Sequence, residues 1–203
     1  MKEIRKMGVL LFVICAVAAA LLAMTNAVTA PKIAENAEKR EVEAKQMVLP
    51  AGREFQEMDE AEMRALFEKA DSENLKNVIA VNKAIADGEL VGYTIKVAVA
   101  GFGGEITMLV GIDHTGKLLG YNILSHEETA GLGDKIAVDP FYGQMVGKTS
   151  ATPLSVVKGE IKNDGQVQAV TGATISSKAA ISAINSAFDA YNVLSDTQNS
   201  EVN

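Results

Sequence analysis

The chain is poor in the residues that most often carry chemistry. Its 203 residues include one cysteine, Cys15, and that cysteine lies inside an apolar run. The rest of the chain can therefore hold no disulfide, no thiolate nucleophile, no iron-sulfur cluster and no c-type haem. The two histidines, His114 and His126, are both expected in loops. They offer few imidazole ligands for zinc or haem, and no metal ligand is assigned. Lysine and arginine total 19 against 26 acidic residues, for a formal net charge of -7. Nucleic acid, whose affinity rests on clustered cations, is not expected as a partner. No internal repeat is visible, and the length suits one ordinary domain with an appendage.

What stands out first is a hydrophobic run. Met7 to Pro31 carries no charge, and Gly8 to Met24, GVLLFVICAVAAALLAM, is almost wholly apolar. The run exceeds the apolar core of a signal peptide, about 7 to 15 residues, and matches the about 20 residues that cross a bilayer as a helix. Val28-Thr29-Ala30 has the form of a cleavage site, but Pro31 sits where the bond would be cut. A retained single-pass anchor in the bacterial cytoplasmic (inner) membrane is expected. Lys2, Arg5 and Lys6 precede the span while Lys32, Lys39 and Arg40 follow it. A very short N-terminal tail keeps its charges in the cytoplasm and places the bulk of the chain outside. The expected division is residues 1–30 as tail and transmembrane helix, 31–50 as a helical stalk and 51–203 as an extracytoplasmic domain.

The periodicity beyond the span points to an α+β fold, an antiparallel sheet with flanking helices. Ile33 to Val48 is rich in Ala, Glu and Lys and reads as a helix that Pro50 stops. Asp59 followed by Glu62 has the form of a helix start, and Met63, Leu66, Phe67 and Ala70 give its apolar stripe. From Glu89 the period becomes two: Val91, Tyr93, Ile95, Val97 and Val99 alternate with Gly92, Thr94, Lys96 and Ala98. Turns at Gly101-Phe102-Gly103-Gly104 and Asp113-His114-Thr115-Gly116 lead to strands Glu105 to Ile112 and Lys117 to Ser125, completing a meander. Ser155 to Ile161 and Gln166 to Val170 flank Asn163-Asp164-Gly165 and are expected to form a hairpin. The last helix presents Ala180, Ile181, Ile184, Ala187, Phe188 and Tyr191 on one face.

Two stretches remain unexplained by folding alone. Val170 to Ser177, VTGATISS, crowds four hydroxyls where a strand feeds a helix. On a structural reading, Ser176 or Ser177 caps the helix, and Gly172 and Ala173 are small because the corner is tight. On a functional reading, the free N–H groups of the helix start, its dipole and the hydroxyls hold a phosphate. No Gly-Lys-Ser/Thr ending follows, so this is not a P-loop. The second stretch, Ser125 to Gly133, reads as a glycine turn. It also reads as a loop whose backbone approaches a flat ligand at Gly131 and Gly133, with Thr129 and Leu132 offering a hydroxyl and an apolar contact.

Three motifs together resemble the FMN-binding domain family: Thr171-Gly172-Ala173-Thr174 before Ile175-Ser176-Ser177, HEETAGLGDKI from His126, and GFGGEITMLVGID from Gly101. Their order, the single span and TAPKIAE just after it resemble the G subunits of the Rnf ion-translocating electron-transport complex. The resemblance implies FMN joined to Thr174 as a phosphoester by a flavin transferase that takes it from FAD, with Thr171, Gly172, Ala173, Ser176 and Ser177 shaping the corner. It implies that Glu128, Thr129, Gly131, Leu132 and Gly133 line the flavin, with Gly103 and Gly104 nearby. The family commonly has an acidic residue six positions before the acceptor, where this chain has Gln168. The implied function is electron transfer with other membrane and redox subunits of the complex, with no catalytic acid, base or nucleophile. A free-standing membrane-tethered FMN carrier fits the same motifs, and a non-redox binding module is the reading of a different class.

Overall fold

The computed structural model describes residues 2–70 and 72–201; the outer limits of the expected segments, at residues 1 and 203, lie outside the described residues. The chain divides into two compact units, Met1–Val42 and Glu43–Asn203. Helix α1, Lys2–Val48, runs without a break, with Pro31 inside it. Its apolar stretch contains an 18-residue window of mean hydropathy 2.8, none of it buried. Leu10, Leu11, Phe12, Ile14, Leu21 and Leu22 all present their side chains outward, as a lipid-facing helix does.

The second unit is built on a five-stranded antiparallel sheet in sequential order: β1 (Glu54–Glu57), β2 (Val78–Ala86), β3 (Glu89–Ala100), β4 (Glu105–Asp113) and β5 (Leu118–Ser125). The expected meander forms its last three strands. The first two were not anticipated. Between β2 and β3 lies a two-residue turn, Asp87-Gly88, with φ of 53° and 86°. Positive φ at both positions is what a tight hairpin turn of the right twist requires.

Alternation along the strands sends two sets of side chains to two cores. Tyr93, Ile95, Val97 and Val99 of β3 and Ile106, Met108, Val110 and Ile112 of β4 pack against α3 (Thr174–Glu201). Its Ala180, Ile181, Ile184, Ala187, Phe188 and Tyr191 are buried there, as the helical period predicts. Leu109 and Ala84 join a smaller cluster with Ala44, Val48 and Leu49, and Val91 packs on that cluster rather than with Tyr93. The cause is a bulge: the β2–β3 register shifts between Ala84 and Ile85, and an extra residue reverses the side-chain phase on its strand. Gly111 is required where Val48 crosses, because a Cβ there would lie 2.2 Å from the Val48 carbonyl oxygen.

Short helix α2, Glu60–Phe67, begins as expected, with Asp59 accepting from the N–H groups of Ala61 and Glu62. Met63 and Phe67 are buried, with Leu66 and Ala70 packed beside them. A 3₁₀ turn, Glu73–Asn77, then ties to α3: Ser72 and Asn74 both donate to Asp189, at 2.7 and 2.8 Å.

The expected hairpin is not formed. β6 (Ser155–Val157) and β7 (Gln166–Gln168) pair in parallel. Asn163 does make a turn, its side chain accepting from the Gly165 N–H at 3.0 Å. None of Asn163, Asp164 and Gly165 takes a positive φ, so the hairpin geometry that the tripeptide favours is absent. Ser155 N–H instead donates to the Gly165 carbonyl and Ala169 N–H to that of Val157.

Candidate functional site

Strand β7 delivers the chain to the corner at residues 169–173, and α3 starts at Thr174. Gly172 has φ of 82°, a conformation glycine adopts without the steric cost borne by other residues. Ala173 is the residue from which the helix departs: its carbonyl accepts from the Ser177 N–H at 2.9 Å, and its own N–H donates to Val170.

The two serines do not cap the helix as expected, because both lie inside its first turn. Ser177, fully buried, accepts from the Val170 N–H at 3.0 Å and donates to the Ala173 carbonyl at 2.9 Å. Ser176 is buried and turned the other way, donating to Glu128 Oε2 at 2.5 Å. The backbone N–H groups of Thr174, Ile175 and Ser176 have no protein acceptor among the described residues. This is the ordinary condition of a helix start, and it leaves a positive end facing outward.

Glu128 gathers three segments. Its Oε1 accepts from the N–H groups of Phe102 at 2.7 Å and Gly103 at 3.1 Å, both in the β3–β4 turn, while Oε2 takes the Ser176 hydroxyl. Its own N–H donates to His126 Nδ1 at 3.1 Å. Only 8% of Glu128 remains exposed. Burial pushes its carboxyl upward, but the bonds from Ser176, Gly103 and Phe102 outweigh it, and the group stands below its ordinary value of 4.5. It is an anion at neutral pH, held by charge-assisted hydrogen bonds.

Two glycines, Gly101 and Gly133, make room for this carboxylate. A Cβ on Gly101 would come within 2.2 Å of Glu128 Oε1, and one on Gly133 within 2.5 Å of Oε2; a Cβ on Gly103 would meet the Glu127 carbonyl oxygen at 1.9 Å. Gly131 differs: it faces open space but has φ of 77°.

Above these residues lies a cleft of about 400 Å³, lined by Phe102, Glu128, Thr129, Leu132, Gly133, Gly172, Ala173, Thr174, Ile175 and Ser176. Phe102, Leu132 and Ile175 are 66%, 44% and 53% exposed, giving the cleft an apolar rim around the half-buried Thr174. The structure thus brings together residues from all three motifs. Thr171 instead lines a neighbouring cleft of about 300 Å³ with Lys135, Asp139, Phe141 and Gln144. Gln168 borders it too, its backbone N–H donating to the Gln144 side chain, whose amide donates to the Gln168 carbonyl. Gly131 and Ser177 line neither cleft. Phe102 and Ile175 were not anticipated as cleft residues, although an aromatic inside a glycine turn is a signal the sequence does carry.

The arrangement suits an anionic group at the helix start joined to a flat apolar body. Residues 101–189 match the family model of the FMN-binding domain, and residues 1–45 match that of the RnfG N-terminal region. The chain is 38% identical over 196 residues to the G subunit of the Na(+)-translocating ferredoxin:NAD(+) oxidoreductase complex of Acetobacterium woodii, covering 96% of this chain and 94% of that one. It is 35% identical over 190 residues to the G subunit of the ion-translocating oxidoreductase complex of Methanosarcina acetivorans, covering 93% and 94%. The corresponding protein of Vibrio cholerae is 33% identical over 196 residues, with 93% and 90% covered. Among solved structures, the crystal structure of Shewanella oneidensis NqrC aligns with a TM-score of 0.50 at 20% identity, covering 60% of this chain and 61% of that chain. That likeness shows a shared fold.

Proposed function

Because this chain belongs to the family of G subunits of ion-translocating ferredoxin:NAD(+) oxidoreductase complexes and contains an FMN-binding domain, we propose that it carries FMN covalently, as a phosphoester on Thr174, and relays electrons within that complex. The observation that carries this reading is the position of Thr174. It is the first residue of α3, half-buried, on the cleft. Its hydroxyl stands at the start of the helix, in the same turn as the N–H groups of Thr174, Ile175 and Ser176 that have no backbone acceptor among the described residues. A threonine oxygen there joins to phosphorus when a flavin transferase acts on FAD, with AMP leaving and the flavin ring untouched.

The residues present fit the group. The helix start supplies N–H donors and the positive end of its dipole to a phosphodiester. Phe102, Leu132 and Ile175 supply apolar surface for the ring, and Gly133 and Gly172 let backbone approach it closely. Bound FMN supplies the redox chemistry; the protein's part is to bind, orient and shield it. None of the residues need act as a catalytic acid, base or nucleophile.

The N-terminal helix anchors the protein in the membrane complex. In our reading residues 1–30 hold the tail and span, 31–50 a stalk and 51–203 the flavin domain, and the flavin domain lies outside the cytoplasmic membrane. Tethering then has a purpose, since a carrier outside the cytoplasm could not readily replace FMN that dissociated.

The test is purification of the chain from its native membrane under mild detergent. Co-purification with the other redox subunits, and flavin fluorescence that stays with this chain after denaturation, is the expected result. A fluorescent chain without those partners would make it a free-standing carrier, and a colourless chain would refute the flavin reading.

A further inference from the structure

The three segments of the cleft come from distant parts of the sequence and meet at one carboxylate. We propose that Glu128 is the positioning residue of the flavin site, assembling the cleft before flavin is attached. Its two oxygens bind the β3–β4 turn through Phe102 and Gly103, and α3 through Ser176. Its backbone belongs to the third segment, the loop that continues through Thr129 to Gly133. Gly101 and Gly133 press against the carboxylate so closely that neither could carry a Cβ without displacing it.

The consequence for function rests on the flavin reading above. A turn carrying Phe102 and a helix carrying Thr174 are set at a fixed separation before the transferase acts, so the acceptor hydroxyl and the ring-facing surface are already in place. Preorganisation of this kind removes the ordering cost from the binding step. Glu128 acts through Phe102, Gly103 and Ser176, and it need not touch the flavin.

A glutamine can reproduce the clamp. Its carbonyl oxygen accepts from Phe102 and Gly103, and its NH₂ group donates to the Ser176 hydroxyl, which can turn its proton away. An alanine cannot. The full chain in detergent, as wild type, E128A and E128Q, is compared by hydrogen exchange without transferase and by the rate of flavin attachment with it. In E128A the peptide holding Phe102 and Gly103 exchanges at least tenfold faster and attachment slows at least tenfold, while the sheet peptide Tyr93–Val99 keeps its protection. E128Q restores both to within about threefold of wild type. Wild-type exchange or attachment in E128A overturns the proposal, as does an E128Q as impaired as E128A. If Tyr93–Val99 also loses protection in E128A, S176A decides, since it breaks only the bond to α3, and unchanged attachment in S176A overturns the proposal. A wild-type chain that takes no flavin from a transferase active on a control substrate refutes the function proposed above, yet exchange at Phe102 and Gly103 still decides the clamp.

Discussion

Ser177 closes the corner on Val170: it accepts the Val170 N–H at 3.0 Å while donating to the Ala173 carbonyl at 2.9 Å. One fully buried hydroxyl thus satisfies a donor and an acceptor on either side of Gly172 and fixes the path into Thr174. S177A leaves the Val170 N–H without its partner. The expected loss is about 1 to 3 kcal/mol of stability, read as a lower denaturation midpoint with an unchanged slope. Flavin attachment at Thr174 slows with it, because the acceptor loses its fixed approach.

The glycines of the two loops separate by cause. G103A sets a methyl 1.9 Å from a backbone oxygen of Glu127, a clash that no side-chain rotation relieves. It is expected to cost about 1 to 3 kcal/mol and to displace the loop at residues 126–129. G131A meets no neighbour but holds a positive φ, so its cost is about 1 kcal/mol from backbone strain. Thermal unfolding of the pair checks the order.

Acid should loosen the site through Glu128. Its folded pKa is depressed below the ordinary 4.5, so the stability it contributes is fully present above that value and is lost as pH falls through the lower, folded one. Asp113 acts in the same direction. Burial raises its carboxyl, but bonds from the Thr115 hydroxyl, the Lys117 N–H and the Thr115 N–H outweigh this and hold it below its ordinary 3.8. Stability should be flat near neutral pH and decline below about pH 4.5, and E128Q should show a shallower decline. Denaturation midpoints measured from pH 7 to pH 3 give the comparison.

Much of the fold was legible because it repeats. The apolar run, the alternation from Tyr93 to Val99, the stripe on α3 and the Asp59 cap each follow from local spacing. β2 escaped notice although Asp87-Gly88 marks its turn, because VIAVNKAIA alternates weakly and Asn82 is buried within it. The phase of Val91 could not be read, since a bulge depends on how two strands pair. Asn163-Asp164-Gly165 misled because it turns the chain without the positive φ of a hairpin.

The site divides the same way. The motifs named Thr174, Thr129, Leu132 and Gly133, and these meet on one cleft. What could not be seen was that Ser176 and Ser177 are bonded sideways and backward rather than capping. Nor could the sequence reveal that Gly101 is small on account of a carboxylate distant in the chain, or that the same carboxylate turns back onto Gly133 of its own loop. Such pairings belong to tertiary structure.

Attachment of FMN to Thr174 is tested most directly by the intact mass of the full chain produced with a flavin transferase, beside T174A. The expected result is a wild-type mass raised by one FMN less one water and a T174A mass without that gain. A wild-type chain left unmodified by a transferase active on a control substrate, or an equal gain in T174A, would contradict it.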